Sequence, residues 1–323
     1  MKVYIDPSCD IQYASFYIYG LYEIYGRKNV SFSSRFFKNF KHDNHFFAFV
    51  IIEDAIQKKI IIDFTDDASI DATALQWCDV YGKINLEFSN TSEAKIVAVG
   101  PSFGIKIYSL VETVCYAFLN ILKSYTRIPN KRKFLSDYKA QYKRPKLEDY
   151  SIKPAKKNYV FFMASLWKKE PKTNTYRANF IKSCKANTHL EFEGGFAPRT
   201  KKDIEGFEEL TTAARINMMA YLEKIKETLF VFNTPAVASC HGWKLAEYLC
   251  LGKAIISTPI SRQLPAALED NKQVLLTSGT LEDLKEKVAT LTNNDALRQQ
   301  LEKNAREYYT SYLAPKAVIK SVL

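Results

Sequence analysis

Residues 233–258 read NTPAVASCHGWKLAEYLCLGKAIIST, and the order of signals within them decides the fold. An apolar strand ends at Asn233-Thr234-Pro235, a loop follows, a helical stretch covers 244–251, Gly252 closes it, and a second apolar strand fills 254–257. In a doubly wound sheet, ligands bind beyond the carboxyl ends of the strands, where loops meet helix N-termini. Gly242 lets a ligand approach the backbone at the start of the helix, where free N–H groups suit a phosphate. Lys244 puts a positive charge in the first turn, the wrong sign for the helix dipole, which points to a nearby anion. Glu247 lies three residues on, on roughly the same face, where a carboxylate can accept two hydrogen bonds from a ribose diol. An ordinary Lys–Glu surface pair beside a turn glycine accounts for the same residues.

Strand and helix signals alternate on both sides of this stretch. Residues 2–6, 46–52, 60–64 and 96–99 read as short buried strands, and 13–25 as a helix. The last of these strands runs into the loop Gly100-Pro101-Ser102-Phe103-Gly104. Residues 108–125 form a helix with Leu110, Val114, Ala117, Phe118, Ile121 and Leu122 on one apolar face. A second series then begins, with strands at 159–164, 190–192 and 229–232 and helices around 179–185 and 213–226. Amphipathic helices at 281–291 and 295–309 follow. This rhythm predicts parallel α/β sheets in two domains, 1–150 and 151–323.

A chain of 323 residues fits two domains, and its 47% apolar content supplies their cores. Six cysteines without a C-x-x-C leave no disulfide scaffold and no structural zinc signature, so a reducing compartment is expected. Asp6, Pro7 and Asp10 interrupt any apolar leader, so no signal peptide is expected, and the longest apolar run, 46–52, is seven residues. A membrane-spanning helix needs about 20. The expectation is a cytoplasmic protein, soluble or peripheral on the membrane's inner face.

The net charge of +11 is concentrated: residues 123–157 hold twelve basic and three acidic side chains, a local +9. This stretch is read as a basic connector, broken by Pro129, Pro145 and Pro154. It docks on an anionic membrane, grips acceptor phosphates, or is a solvated charge run. Aromatics interleave with the cations, as in single-strand binders. No RRM, KH or helix-turn-helix signature accompanies them, so nucleic acid is not an expected partner. His42 and His45, spaced i, i+3 in a polar turn with no third ligand, read as surface residues.

The 233–258 stretch resembles the donor-binding segment of GT-B glycosyltransferases, the family 4-like group in particular. That group's pattern is P-S-x-x-E-G-F-G-x-x-x-x-E-A-x-A-x-G-x-P-V-I. Pro235 falls on the proline, Gly242 on the second glycine, Glu247 on the second glutamate, Gly252 on the later glycine and Ile255-Ile256 on the closing strand. The resemblance implies two Rossmann-like parallel-sheet domains facing a cleft, with the last helix crossing back onto the first domain. It implies that Glu247 holds the ribose of a nucleotide-diphosphate-sugar and that Gly242 lies by the diphosphate, with Thr234, Pro235 and His241 in the same loop. Phe192-Glu193-Gly194-Gly195-Phe196 resembles the strand-and-glycine loop beside the base. Residues 79–85 and 99–105 resemble a bacterial surface-polysaccharide subgroup, which implies a lipid-linked glycan acceptor. Ser239 stands where the group has its first glutamate, Cys240-His241 replace Gly-Phe, and Ser165 occupies an arginine position. Lys168, Lys169, Lys172 or Arg177 is expected to supply the missing charge.

Glycosyl transfer needs its leaving diphosphate stabilised by a metal or by basic groups and helix ends. No D-x-D occurs, which favours metal-free stabilisation with no cofactor. An inverting enzyme also needs a base for the acceptor hydroxyl. Asp10, Asp66 and Asp67 follow strands of the first domain and are the candidates, although helix caps and loop turns use the same residues. Two other readings stay open: a nucleotide-binding paralogue that does not transfer, and a basic adaptor for membrane or nucleic-acid surfaces.

Overall fold

The computed structural model describes residues 1–38, 40, 46–54, 56–89, 94–199 and 204–323. His42 and His45 lie outside the described residues. The chain divides into two compact units: Met1–Asp149 with Arg262–Ala266 and Ser311–Leu323, and Tyr150–Ser261 with Ala267–Thr310.

The first unit begins with β1 (Lys2–Ile5), α1 (Ile11–Tyr25), β2 (Val30–Phe32), β3 (Phe46–Glu53) and β4 (Ile56–Asp63). It continues through α2 (Ala72–Trp77), β5 (Val80–Lys83), β6 (Ile96–Ala98), α3 (Leu110–Ser124) and α4 (Lys131–Tyr142). The six strands form one sheet in the order β2-β1-β3-β4-β5-β6. The two apolar runs at 46–52 and 60–64 pair with each other as antiparallel neighbours. The sheet is therefore mixed: β3 opposes β1 and β4, and the other five strands run the same way. Those five end at one edge, which collects the loops after β1, β4 and β5.

Capping chemistry sets the helices. Asp10 accepts from the Gln12 N–H at 3.0 Å at the head of α1, and Ser109 with Glu112 forms a capping box on α3. The middle of the basic connector proves to be a helix of this unit, α4, while residues 150–157 fall in the second unit. Asn130 caps α4, and Phe134, Tyr138 and Gln141 form its buried face. Pro129 and Pro145 fall just outside its ends, so neither breaks it.

The second unit holds β7 (Tyr159–Ala164), α5 (Pro171–Ala186), β8 (Glu191–Phe196), α6 (Met218–Glu227), β9 (Phe230–Asn233), α7 (Trp243–Cys250) and β10 (Ala254–Ser257). It ends with β11 (Leu275–Leu276), α8 (Leu281–Asn293) and α9 (Asp295–Tyr308). All its paired strands are parallel, β8 with β7 and β9-β10-β11 together. The two groups meet where the Leu229 N–H donates to the Tyr159 carbonyl at 2.8 Å. The spatial order is thus β8-β7-β9-β10-β11, a doubly wound layout whose connections reverse direction between β7 and β9. Phe162, Phe180, Phe230, Phe232 and Ile256 pack in its core. After α9 the chain rejoins the first unit through α10 (Pro315–Ser321), which packs on α1; a Cβ on Gly20 would sit 2.4 Å from the Pro315 carbonyl oxygen.

Gly194 stands opposite Phe162 in the β7–β8 ladder with φ of 112°, and a Cβ there would lie 2.0 Å from the Phe162 oxygen. Backbone, not a flexible side chain, occupies the space. Gly194→Ala should lower stability by about 2 kcal/mol or more, from backbone strain plus overpacking. Gly206→Ala, at φ of 84° with open space around it, should cost only about 1 kcal/mol. Urea denaturation of the two variants tests this; equal losses would refute it.

Candidate functional site

The reversal point between β7 and β9 opens a cavity of about 180 Å³ at the carboxyl ends of the strands. Phe162, Ala164 and Ser165 come from β7 and its loop, and Phe232, Asn233 and Thr234 from β9 and its loop. Gly242, Trp243 and Lys244 at the start of α7, with Arg177 from α5 and Trp167, complete the wall. Asn233 is fixed by donating its side-chain N–H to Ser257 Oγ at 2.9 Å.

Two cations meet here. Arg177 is buried; its Nε donates to Thr234 Oγ1 at 3.0 Å and its Nη1 to the Ser165 carbonyl at 2.8 Å. Burial pulls its pKa down to about 10, against the favourable pull of Tyr248 and Glu170. Lys244 is half-buried, donates to the Met163 carbonyl, and lies 5.4 and 5.5 Å from the rings of Phe162 and Tyr221. Burial, then the Arg177 charge, lowers its pKa to about 7, only partly offset by Glu247. Among the described residues neither cation forms an ion pair. Each donates only to neutral oxygens, so desolvated positive charge faces the cavity with no carboxylate in direct contact, Glu170 and Glu247 acting only from a distance.

Gly242 is the N-cap of α7, with no side-chain cap on that end. Its φ of −78° suits any residue, and a Cβ would meet only Ala236 Cβ at 3.7 Å. Neither strain nor crowding within the protein calls for glycine at this position. Its bare face keeps the helix end open to the cavity.

Thr234 accepts the Arg177 bond, and the Pro235 carbonyl accepts from Thr173 Oγ1 at 3.3 Å. His241 is buried and lines a smaller adjoining hollow with Pro259, Ile260 and Ser261. Glu247 is buried on α7 and accepts from Tyr150 Oη at 3.2 Å; it does not line the 180 Å³ cavity. Lys168 and Lys169 are exposed and lie outside the cavity wall, so Arg177, about two turns into α5, is the member of the expected basic set that reaches it. Gly194 and Gly195 sit inside β8, where close packing on Phe162 and Leu210 explains both glycines.

In the first unit, Asp10 caps α1 and pairs with Lys133 at 2.8 Å. Asp67 is exposed and accepts from the Ser69 N–H and hydroxyl, contacts that hold its carboxyl below the usual range despite partial desolvation. Asp66 is exposed beside it. These acids share the carboxyl edge of the sheet but are not brought together into one cluster. Sequence reasoning missed two buried ion pairs at the same edge. Lys83 donates to Asp63 at 2.8 Å, and Tyr81 donates to the same carboxylate at 2.6 Å. Arg127 forks onto both oxygens of Asp6 at 2.9 and 2.6 Å. The available signal was a charged residue ending an apolar strand, at Asp63 and at Lys83, but their pairing depends on strand register. Among the described residues no group of three or more His, Cys, Asp or Glu is placed to hold a metal.

No protein-family model and no curated protein sequence matches the chain. Solved structures do. A TarM variant from S. aureus, in complex with fondaparinux, alpha-GlcNAc-glycerol and UDP, matches at 12% identity and a TM-score of 0.46, over 80% of this chain and 47% of that one. A glycosyltransferase from Rickettsia africae matches at 11% identity and 0.44, over 75% and 61%. WaaG, a glycosyltransferase involved in lipopolysaccharide biosynthesis, matches at 16% identity and 0.35, over 78% and 81%. The chain thus spans about half of the TarM chain and three fifths of the Rickettsia one. At TM-scores below 0.5 none of these likenesses assigns an activity. The chain is an α/β protein with two Rossmann-like units, the fold class of these glycosyltransferases, to which it is similar.

Proposed function

We propose that the chain is a GT-B glycosyltransferase whose second unit binds a nucleotide-diphosphate-sugar, with the diphosphate at the β7–β9 reversal point. The observation that carries this reading is the unbalanced pair Arg177 and Lys244 beside the open N-terminus of α7. A diphosphate matches the cavity's positive charge and its modest size of about 180 Å³. The same groups would stabilise the departing diphosphate during transfer, the task that a divalent cation performs in other designs, so no metal is assigned. Glu247 is assigned to the ribose, with Tyr150 orienting its carboxylate. Thr234, Pro235 and His241 are assigned to the surrounding loop.

The acceptor is assigned to the first unit, at the sheet edge that carries Asp10, Asp66 and Asp67. Asp10 is the candidate base of the three that is buried and positioned, by Lys133. The acceptor is proposed to be a lipid-linked bacterial surface glycan, with the charge of 123–157 turned to an anionic membrane on the cytoplasmic side. A second reading, nucleotide binding without transfer, is favoured by the turn that carries Ser239. That residue is exposed, and its carbonyl accepts from Ser261 Oγ. No acid occupies 234–241 to face a donor sugar. Release of free nucleotide from a bound sugar nucleotide separates the two readings.

Thermal shifts with UDP, GDP, CMP and dTDP, each with and without magnesium, test the donor site. One diphosphate should stabilise the protein whether or not magnesium is present, by about 2.7 kcal/mol at a hundred times its dissociation constant. Gly242→Ala should fold normally yet weaken that binding, and Glu247→Ala should weaken it by about 1–3 kcal/mol. No shift with any nucleotide would refute the assignment.

Binding should also depend on pH in a defined direction. Burial and the Arg177 charge pull the Lys244 pKa down to about 7 when the site is empty. A bound anion raises that pKa, so binding takes up a proton above pH 7 and affinity falls as pH rises. The limit is about tenfold per pH unit. Titration calorimetry between pH 7.5 and 9 should show this slope, and Lys244→Met should flatten it. A slope unchanged in the variant would assign the proton elsewhere.

A further inference from the structure

Helix α3 is turned inside out. Its buried residues are Thr113, Ala117, Asn120 and Ser124, all small or polar. Its large apolar residues face outward: Leu110, Val111, Val114, Phe118, Leu119 and Leu122 are 45–72% exposed. A helix that served only as one wall of a soluble domain would bury that stripe and expose the polar one. The inward face is anchored to the rest of the unit, since Asn120 donates to Tyr138 Oη of α4 at 2.8 Å, Lys123 donates to the Phe32 carbonyl at 2.9 Å, and Tyr116 packs on Phe32 and Tyr108. The orientation is therefore fixed by contacts, and the exposed ridge is continuous along four turns. It is a large apolar patch for a surface otherwise so charged.

The charges around the ridge identify its occupant. The one acid in α3, Glu112, is engaged by Ser109 and by Arg27. At the C-terminal end, Lys131 lies 4.5 Å from the ring of exposed Tyr125. The neighbouring helix α4 exposes Arg132 and Lys139, and Lys143 at its C-cap is exposed too, with Leu135 exposed among them. A second copy of this chain would bring like charges together beside the apolar contact. An anionic bilayer offers hydrocarbon to the ridge and phosphate to the lysines and arginines. With 15 residues α3 is about 22 Å long. No described helix is long and apolar enough to cross a membrane, so the geometry suits a helix lying in the interface plane.

We propose that α3 is an in-plane membrane anchor, inserted through Val114, Phe118 and Leu122 and held at anionic headgroups by α4. This deepens the membrane contact of the reading above by moving its main contact from the basic stretch to the apolar helix before it. Co-sedimentation of the full chain with vesicles tests it, using phosphatidylcholine with and without phosphatidylglycerol. The wild-type chain should bind the mixed vesicles. Phe118→Ser with Leu122→Ser, at positions already exposed, should retain the melting temperature and lose about tenfold or more in partitioning. Arg132→Glu with Lys139→Glu and Lys143→Glu should remove the preference for phosphatidylglycerol. The nucleotide thermal shift, read on the same variants, should be unchanged, which keeps a failed anchor distinct from a failed donor site. Absence of vesicle binding would overturn the proposal, as would equal binding by the serine variant. A wild-type dimer that the serine substitutions dissociate, without vesicle binding, would assign the ridge to a second copy instead.

Discussion

Arg177 and Lys244 are brought to the same strand edge with only neutral oxygens for partners. Removing a charge from water is costly unless an opposite charge replaces the lost hydration. Folding accepts that cost because the hydrophobic core of the second unit holds both helices in place: α5 packs through Phe180 and Ile181, and α7 through Leu245 and Leu249. Burial, and then repulsion from Arg177, lower the Lys244 pKa to about 7, so an arriving anion raises it again and favours the charged form. The open end of α7, the bare backbone at Gly242 and the reversal of connections between β7 and β9 converge on the same few ångströms. The proposed chemistry depends on that convergence.

The second unit was largely legible in the sequence. Its strands are short apolar runs punctuated by Gly252 and Asn233-Thr234-Pro235, and such punctuation fixes element type without tertiary information. Lys244 drew notice in the sequence because a lysine in the first turn of a helix breaks a local rule, whereas the conformation of Gly242, which asks for no glycine, is seen only in the structure. Arg177 was only one of several candidates. Its reach into the cavity depends on the side of α5 that packs against β7, which periodicity does not specify. For Gly194 and Gly195 the structure adds a reason the sequence did not show, since the carbonyls of Phe162 and Leu210 leave no room for a Cβ at either position.

The first unit was less legible. The hairpin of β3 and β4 has the same composition as two parallel strands, and only the short separation between them hinted otherwise. The partners Asp63 and Lys83 are twenty residues apart and meet through the register of β4 on β5. The apolar face of α3 was visible as a pattern, but its direction was not, because the partner that Asn120 finds in Tyr138 is supplied by another helix. Helix α4 was hidden by its charge, since three aromatic or amide contacts at i, i+4 and i+7 are sparse among so many cations.

The central claim is an anion held at the β7–β9 reversal point. The most direct measurement is a crystal structure of the full chain with the nucleoside diphosphate that stabilises it best, refined for phosphate position. The account predicts a phosphate at the N-terminus of α7, within hydrogen-bond distance of the Gly242–Lys244 backbone and in contact with Arg177 and Lys244 side chains. Density for the diphosphate on the first unit, or at the second unit away from both cations, would contradict it.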